Sequence, residues 1–319
     1  MDRSWDGAGR REPPLDGRDS GPTQGVRFSR VEPEILPPGH QPEPGTPYDP
    51  PLAPSYPEES YPIPPPSPRT GASRRATWAF APATYTLLGI NCAVFLGMLL
   101  NGVSFLSPTT DQLLRWGANC GPYVLLGGQW WRLFTAMFVH VGIIHIATNM
   151  WCLWNLGLLA EPLMGPAGVV GAYVLTGLAG NLLSVARYPG VPGGPEGIVG
   201  AGASGAIFGL AGVLILLLKS PLLPLPKLEL QRLRRSVIQF SILNFAIGLY
   251  TAFGRSPVQI DNMAHLGGFL SGLALGVPLV PRIGAPKELF QRRRLLTMLG
   301  MAFLLILFAF GLRSFWRQA

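Results

Sequence analysis

Residues 203–218 read ASGAIFGLAGVLILLL, a run that carries no charged residue. Comparable apolar segments lie near residues 82–101, 143–160, 168–186, 236–253, 260–280 and 295–312. Each has about the 17 to 25 residues that a helix needs to cross roughly 30 Å of hydrocarbon. Lipid offers no partner for an unpaired backbone group, so such segments cross a membrane as helices. The sequence therefore predicts an all-α, polytopic membrane protein with seven spans.

The amino-acid composition also indicates a membrane protein. Hydrophobic residues make up 48% of the 319 residues and charged residues 13%, whereas a soluble domain carries about 25% charged residues. Lys and Arg lie in short clusters between the apolar runs, which favours membrane orientation over nucleic-acid binding. The three cysteines, Cys92, Cys120 and Cys152, are too few and too scattered for a disulfide framework or a zinc site.

The first 75 residues differ from the rest of the chain. They hold 11 of the 17 Asp and Glu and 9 of the 25 Lys and Arg, so their net charge is −2 and that of the remainder is +10. Eighteen of the 33 prolines fall within residues 13–68, where fixed φ angles and missing N–H donors prevent a packed helix or sheet. We expect a disordered tail, either a solvated spacer or a ligand for a polyproline-binding domain. No signal peptide is expected, because the first apolar run begins only near Ala79.

Charges in the connections predict the orientation. With seven spans, 13 basic residues lie on one side of the membrane and 6 on the other. The positive-inside rule then places the N-terminus in the cytoplasm and the C-terminus outside. The long connection 102–142 is external, and its three tryptophans, Trp116, Trp130 and Trp131, are typical of a segment at the membrane interface.

A few polar side chains inside the spans are candidates for chemistry, because each costs at least about 2.5 kcal/mol to insert. His145 lies 16 residues before Glu161, Ser204 lies 15 before Lys219, and His265 lies 17 before Arg282. At 1.5 Å per residue, all three lie about 22 to 26 Å above the cytoplasmic boundary. They share one level, toward the outer leaflet.

Small residues predict that the fourth and sixth spans adjoin. Gly205 and Gly209 have GxxxG spacing in the fourth span, and Gly268, Gly272 and Gly276 are four apart in the sixth. Such stripes let helix backbones approach closely in lipid. Close approach is what a serine–histidine hydrogen bond between two helices requires.

His145 and Asn149 have i, i+4 spacing on one helix face, so two side-chain donors there could hold an oxyanion. Other interpretations compete. A lone serine in a membrane helix usually bonds its own backbone. His140, His145 and His265 could ligate a metal, but HExxH is missing and Asp261 is the one acid nearby, so neither a metal nor another cofactor is expected. A channel or transporter would need inverted repeats and broken helices at the midplane, which the sequence lacks.

Three stretches resemble the rhomboid family, in the order that the family has them. They are WWRLFTAMFVHVGIIHIATNMW (130–151), GAGASGAIFG (200–209) and DNMAHLGGFLSG (261–272). The resemblance covers about residues 80–282, and the combination of GxSG with HxxxxHxxxN and AHxxGxxxG is highly specific. It implies a six-helix core over 76–282, followed by a basic linker and a seventh helix over 283–319, as in a subset of the family.

The resemblance also implies an intramembrane serine protease that uses a dyad. Ser204 would be the nucleophile and His265 the general base, with the Ser204 N–H, His145 and Asn149 as oxyanion donors.

Other residues would support this site by the same resemblance. Phe208 would pack on the His265 ring, while Gly202 and Gly205 would keep the nucleophile approachable. His140 would be structural, and Trp131 and Arg132 would belong to the interfacial loop. Asp261 lies four residues before His265, which raises the question of a catalytic triad. Because the family uses a dyad, we expect Asp261 to be a polar group at the outer mouth of the sixth span.

The expected activity is endoproteolysis of single-pass membrane proteins near the outer end of their spans, where a substrate helix unwinds easily. The alternative is an inactive relative that binds membrane clients without cutting them. The expected partners are these substrates and the lipid bilayer, and no nucleic acid; the sequence leaves the oligomeric state open. The absence of an N-x-S/T sequon is compatible with a bacterial inner membrane.

Overall fold

Helices follow the apolar runs of the sequence. The computed structural model describes residues 80–190, 198–220, 223, 226–253, 260–280 and 287–318. The tail over residues 1–75 lies outside the described residues, and the three-part division of the chain stays a prediction. The described helices are α1 Pro82–Leu100, α2 Thr110–Arg115, α3 Gly121–Leu125, α4 Arg132–Thr135, α5 Ile143–Met164, α6 Pro166–Arg187, α7 Ser204–Leu217, α8 Lys227–Phe253, α9 Asn262–Gly276 with a 3-10 turn over Val277–Leu279, and α10 Lys287–Gln318.

The all-α, polytopic class is confirmed. Each of the seven predicted segments coincides with a helix, and α1, α5, α6 and α10 are long and apolar enough to cross a membrane. The chain is therefore a multi-pass integral membrane protein. The total of seven spans stays a prediction.

The helix that carries Ser204 is shorter than the apolar run around it. Helix α7 has 14 residues and begins at Ser204, which gives a length of about 21 Å at 1.5 Å per residue. Gly202 has φ +126°, a conformation that a helix does not contain, so α7 cannot extend toward the N-terminus past this residue. The preceding backbone is tied to protein, because Gly202 N–H donates to Ala136 O at 2.9 Å. Irregular backbone at membrane depth is tolerated only where protein or a water-filled cavity surrounds it.

Glycines bring α7 and α9 into backbone contact, as their spacing predicted. A methyl group added at Gly268 would overlap the backbone of Gly205, and one at Gly272 would overlap that of Gly209. On the other side of α9, a methyl group at Gly267 would lie 3.0 Å from Ala179 O of α6. Helices α6, α7 and α9 therefore form the tightly packed centre that carries the predicted nucleophile and base.

Glu161 has a role that the sequence analysis did not assign to it. The sequence marks it as the charged end of the second span, where a solvated side chain would be expected. Its side chain is instead buried, with 4% exposed. Its carboxylate accepts the N–H groups of Ala83 and Thr84 at 2.9 and 2.8 Å and the Thr84 hydroxyl at 2.7 Å. These are the first-turn donors of α1, which lack acceptors within the helix. The start of α1 and the end of α5 therefore meet, as antiparallel neighbouring spans require.

Arg132 organises the connection between α1 and α5. It is buried, and its guanidinium donates to Leu114 O at 2.7 Å, Ala118 O at 3.0 Å and Gln129 Oε1 at 2.6 Å. The guanidinium also lies 4.7 Å from the ring centre of Trp131. A cation held by carbonyl groups and an aromatic face gives this connection a fixed shape. Arg132 is thus a structural cation rather than a freely solvated one.

Helix α10 packs along α6. At one end Arg294 donates to Met164 O, the last carbonyl of α5, where a positive charge is favourable. Further along, a methyl group at Gly171 would collide with Met298. At the other end, side chains of α10 join a cluster that includes residues of α3, α4 and α6: Leu305, Ala309, Leu312 and Trp316 pack against Val124, Leu125, Leu133, Leu182 and Val185.

Candidate active site

Ser204 and His265 face each other across α7 and α9. Ser204 is the first residue of α7, and His265 is the fourth residue of α9. The Ser204 Oγ lies 2.8 Å from His265 Nε2, within the range of an ordinary hydrogen bond. His265 is 6% exposed, whereas Ser204 is partly exposed. A hydroxyl bonded to an imidazole in a mostly buried position has the geometry of a nucleophile with its base.

The ring of His265 is held from one face. Phe208 stacks on it with ring centroids 4.4 Å apart and an interplanar angle of 22°. Phe245 of α8 meets the Phe208 ring edge-on at 5.9 Å. Since Phe208 is one helical turn beyond Ser204, α7 supplies both the hydroxyl and the aromatic support for the imidazole. The packing of Phe208 on His265 is as the resemblance implied, and its effect on catalysis stays a prediction.

Asp261 does not contact the imidazole. Its Oδ1 accepts the N–H groups of Met263 and Ala264 at 3.1 and 3.0 Å, and its Oδ2 accepts the hydroxyl of Ser184. Among the described residues, His265 Nδ1 has no hydrogen-bond partner. This geometry fits a dyad, with Asp261 as the N-cap of α9.

His145 points a donor toward the segment before Ser204. Its Nδ1 accepts the N–H of Val141 at 3.2 Å, so in the neutral ring the proton resides on Nε2. A methyl group added at Gly202 would lie 2.9 Å from that Nε2 and 2.6 Å from Cε1. The Nε2–H group therefore lies directly beside the backbone that leads into the nucleophile.

Asn149 lies one turn below His145 and is 5% exposed. Its Nδ2 donates to His145 O at 3.0 Å, which uses one of the two N–H bonds of the amide. A methyl group at Gly202 would lie 3.7 Å from this Nδ2. Both predicted side-chain donors thus border Gly202, as expected for an oxyanion site, although their roles stay predictions.

The start of α7 adds backbone donors. The N–H of Ser204, at the first position of the helix, has no acceptor within the helix, and the N-terminal end of a helix carries partial positive charge. Gly205 is the next residue, and a methyl group there would lie 3.3 Å from Ala264 O. The two glycines therefore act differently: Gly202 leaves room for His145, and Gly205 leaves room for α9.

His140 lies beneath this site and is fully buried. Its Nδ1 donates to Phe138 O at 3.1 Å, and its ring centre is 5.3 Å from that of His145. Within the part of the chain that the structure describes, no three His, Cys, Asp or Glu side chains form a group that could hold a metal ion. The contacts of His140 are those of a packing residue.

The sequence analysis missed two polar anchors beside the site. Asn181 of α6 donates to Leu133 O at 2.8 Å, and Asn119 donates to Asn181 O at 3.0 Å. Asn119 also pairs with Gly200 through two backbone bonds of 2.8 Å. Asn181 is the one amide side chain in the predicted span 168–186, and this was the available signal, because a strongly polar residue in a membrane helix needs a partner inside the protein.

Part of the chain matches a known domain. Residues 127–282, which contain Ser204, His265, His145 and Asn149, match the Rhomboid domain. The chain belongs to the rhomboid family. The rhomboid domain thus begins inside the connection between α1 and α5 and includes α5 to α9.

Several relatives carry names that refer to this domain. The chain is 30% identical over 232 residues to rhomboid protease GluP of Bacillus subtilis, covering 72% of this chain and 41% of that protein. It is 31% identical over 175 residues to RHOMBOID-like protein 7 of Arabidopsis thaliana, covering 55% and 51%. It is 28% identical over 216 residues to rhomboid-like protease 2 of Toxoplasma gondii, covering 67% and 71%.

The chain spans about half the length of the first of these relatives, 41% and 51%. At the level of the family, the relatives support an intramembrane protease. Because relatives occur in a bacterium, a plant and a parasite, the similarity does not assign the chain to a bacterial membrane.

Proposed function

We propose that this rhomboid protein is an intramembrane serine endopeptidase. Ser204 is the nucleophile, and His265 is the general base and then the general acid. The observation that carries the proposal is the 2.8 Å contact between Ser204 Oγ and His265 Nε2, at the start of a helix inside a membrane bundle. An ordinary membrane serine instead bonds a carbonyl of its own helix, as Ser241 does with Val237 O.

The reaction has two halves. In the first, Ser204 Oγ attacks the carbonyl carbon of the scissile peptide bond while its proton passes to His265 Nε2. The tetrahedral intermediate then collapses, the C–N bond breaks, and His265 returns the proton to the leaving amine. In the second, His265 takes a proton from water, whose oxygen attacks the Ser204 ester, and the proton returns to Ser204 as the acid product leaves.

The negative charge of the intermediate needs donors where it develops. The N–H of Ser204, the Nε2–H of His145 and the free N–H of Asn149 supply them in this proposal. Removing one such donor costs about 10²- to 10³-fold in kcat in other serine hydrolases. Because the helix α7 points its positive end at the same place, the donors and the helix favour the same charge.

The substrate class follows from the depth of the site. A peptide bond inside a helix has its backbone groups paired and its carbonyl carbon shielded, so the substrate must present an unwound stretch. Single-pass membrane proteins with small residues near the outer end of their spans meet this condition. The proposed orientation places the N-terminus of this chain in the cytoplasm, and the proposed location is the bacterial inner membrane.

A groove between α5 and α8 supports entry from the side of the bundle. It has a volume of about 420 Å³ and a mostly apolar lining. Trp151 and Leu159 line it from α5, and Leu233 and Phe240 line it from α8. An apolar groove of this kind suits the side chains of a substrate helix in lipid.

The test is cleavage of a labelled single-pass protein by the purified chain in proteoliposomes. Wild type is expected to cut it, and both Ser204→Ala and His265→Ala are expected to be inactive. Ser271→Ala is a matched control, because this hydroxyl lies on α9 but bonds Gly268 O of its own helix. Cleavage that survives both active-site changes would contradict the proposal.

The second candidate function is client binding without cleavage. It predicts that wild type and Ser204→Ala retain the same membrane protein and that neither cuts it. A fluorophosphonate separates the two functions, because labelling of Ser204 in wild type and not in His265→Ala requires an activated hydroxyl.

A further inference from the structure

The carboxylate of Asp261 is a partly buried polar group that the proposed chemistry leaves unused. Its Oδ1 caps the first turn of α9 by accepting the N–H groups of Met263 and Ala264. Its backbone carbonyl accepts the N–H of His265 at 3.2 Å. The same residue therefore fixes three successive donors of the turn that carries the proposed base.

The second oxygen of this carboxylate ties that turn to another helix. Oδ2 accepts the hydroxyl of Ser184, which is 2% exposed on α6. Ordinary N-caps satisfy only their own helix. Here the cap also connects α9 to α6, so the first turn of α9 cannot shift along α6 without breaking a bond to a charged acceptor.

The segment that leads to Ser204 passes beside the same carboxylate. A methyl group at Gly200 would lie 3.1 Å from Asp261 Oδ2. Gly200 is paired with Asn119 through two 2.8 Å backbone bonds, and the Asn119 amide donates to Asn181 O of α6. The same end of α6 therefore supports both partners of the dyad. Ser184 bonds the turn that carries His265, and Asn181, one turn before it, holds the segment that leads to Ser204 through Asn119.

We propose that Asp261 is a positioning residue for the Ser204–His265 pair, an inference that rests on the proposed function. It acts through the first turn of α9 and the bond to Ser184, and it does not touch the imidazole. A negative charge at a helix N-terminus is itself favourable. Among the described residues the single ion pair is Arg115–Asp111, so neutral donors alone hold the Asp261 carboxylate there.

The variants separate positioning from chemistry. Asp261→Ala removes the cap and the tie to α6, so kcat should fall about 10- to 100-fold with KM nearly unchanged, as for a misplacement of about 1 Å. Asp261→Asn keeps an acceptor oxygen that caps a helix as well as aspartate does, and its amide can donate to Ser184 Oγ. It should therefore stay within about threefold of wild type.

Ser184→Ala removes only the tie. We expect a smaller loss of kcat than for Asp261→Ala, and no further loss when both changes are combined, because the two residues act through one contact. Ser271→Ala is the control for deletion of a hydroxyl. The measurements are kcat and KM with the transmembrane substrate, the rate of Ser204 labelling by a fluorophosphonate, and the thermal midpoint of each purified variant.

Each outcome bears on one of the two proposals. If wild type is neither labelled nor active, the proposed function is wrong. If wild type is active and Asp261→Ala equals it, or differs only in thermal midpoint or KM, the positioning role is wrong. If Asp261→Asn loses as much as Asp261→Ala, or if Asp261→Ala is as inactive as Ser204→Ala, the carboxylate takes part in the chemistry and the positioning role is again wrong.

Discussion

Gly202→Ala tests the oxyanion site with one added methyl group. Gly202 has φ +126°, a region that residues with a side chain avoid at a cost of about 1 to 3 kcal/mol. The added carbon would lie 2.6 Å from Cε1 and 2.9 Å from Nε2 of His145. An ordinary contact between two such carbons is 3.4 Å or longer. The His145 ring must therefore move about 0.8 Å away from the added carbon.

A shift of that size removes the donor from the position of the oxyanion. A misplacement of about 1 Å costs roughly 100-fold in rate, and loss of one oxyanion donor costs about 10²- to 10³-fold. We therefore expect kcat to fall about 100-fold while KM changes little. The assay is cleavage of the labelled transmembrane substrate, with the rate of Ser204 labelling measured in parallel.

Two further variants test whether displacement of the His145 ring causes the loss of activity. Gly89→Ala is the control, because a methyl group there meets no atom within 4 Å and should leave kcat unchanged. In a His145→Ala background the collision is gone, so Gly202→Ala should cost much less than it does in wild type. An undiminished cost in that background would show that the imidazole is not what the methyl group displaces.

Three further predictions concern the ring support and the helix contacts. Phe208→Leu removes the stacked ring, so kcat should fall about tenfold, and because Phe208 is buried the thermal midpoint should fall as well. Gly268→Val would drive a side chain into the backbone of α7, so the thermal midpoint in detergent should fall sharply, whereas Gly300→Val, with open space around it, should not change it. Glu161→Gln weakens the buried cap of α1 and should lower the free energy of unfolding by about 2 kcal/mol; the exposed Glu229→Gln should lower it by much less.

The sequence was sufficient for the helices and for the shared level of Ser204 and His265, whose depth in the membrane stays a prediction. Apolar length and flanking charge depend on the solvent alone, so the runs around Ser204 and His265 could be aligned without knowledge of their neighbours. The glycine spacing in the fourth and sixth spans added the pairing of α7 with α9. The 2.8 Å contact between the two side chains is consistent with that alignment.

The sequence was not sufficient for features that depend on a distant partner. The start of α7 depends on the conformation of Gly202. Contacts with Ala136 and His145 fix that conformation. The role of Glu161 depends on the open N–H groups of α1, more than 70 positions away. A charged residue at the end of an apolar run has the same appearance in a sequence whether it is solvated or buried, because its identity says nothing about its partners.

The arrangement of two helix starts at one site has an electrostatic consequence. Ser204 opens α7 and His265 lies in the first turn of α9, so the positive ends of both helices point toward the reacting atoms. In the proposed mechanism they favour the oxyanion, but they oppose the imidazolium that forms when His265 takes the serine proton. Phe208, whose ring centroid lies 4.4 Å from that of the imidazole, offers a ring face to that cation. In the proposed mechanism the Phe208 ring therefore stabilises the cationic base, while α7 and the side-chain donors stabilise the anion.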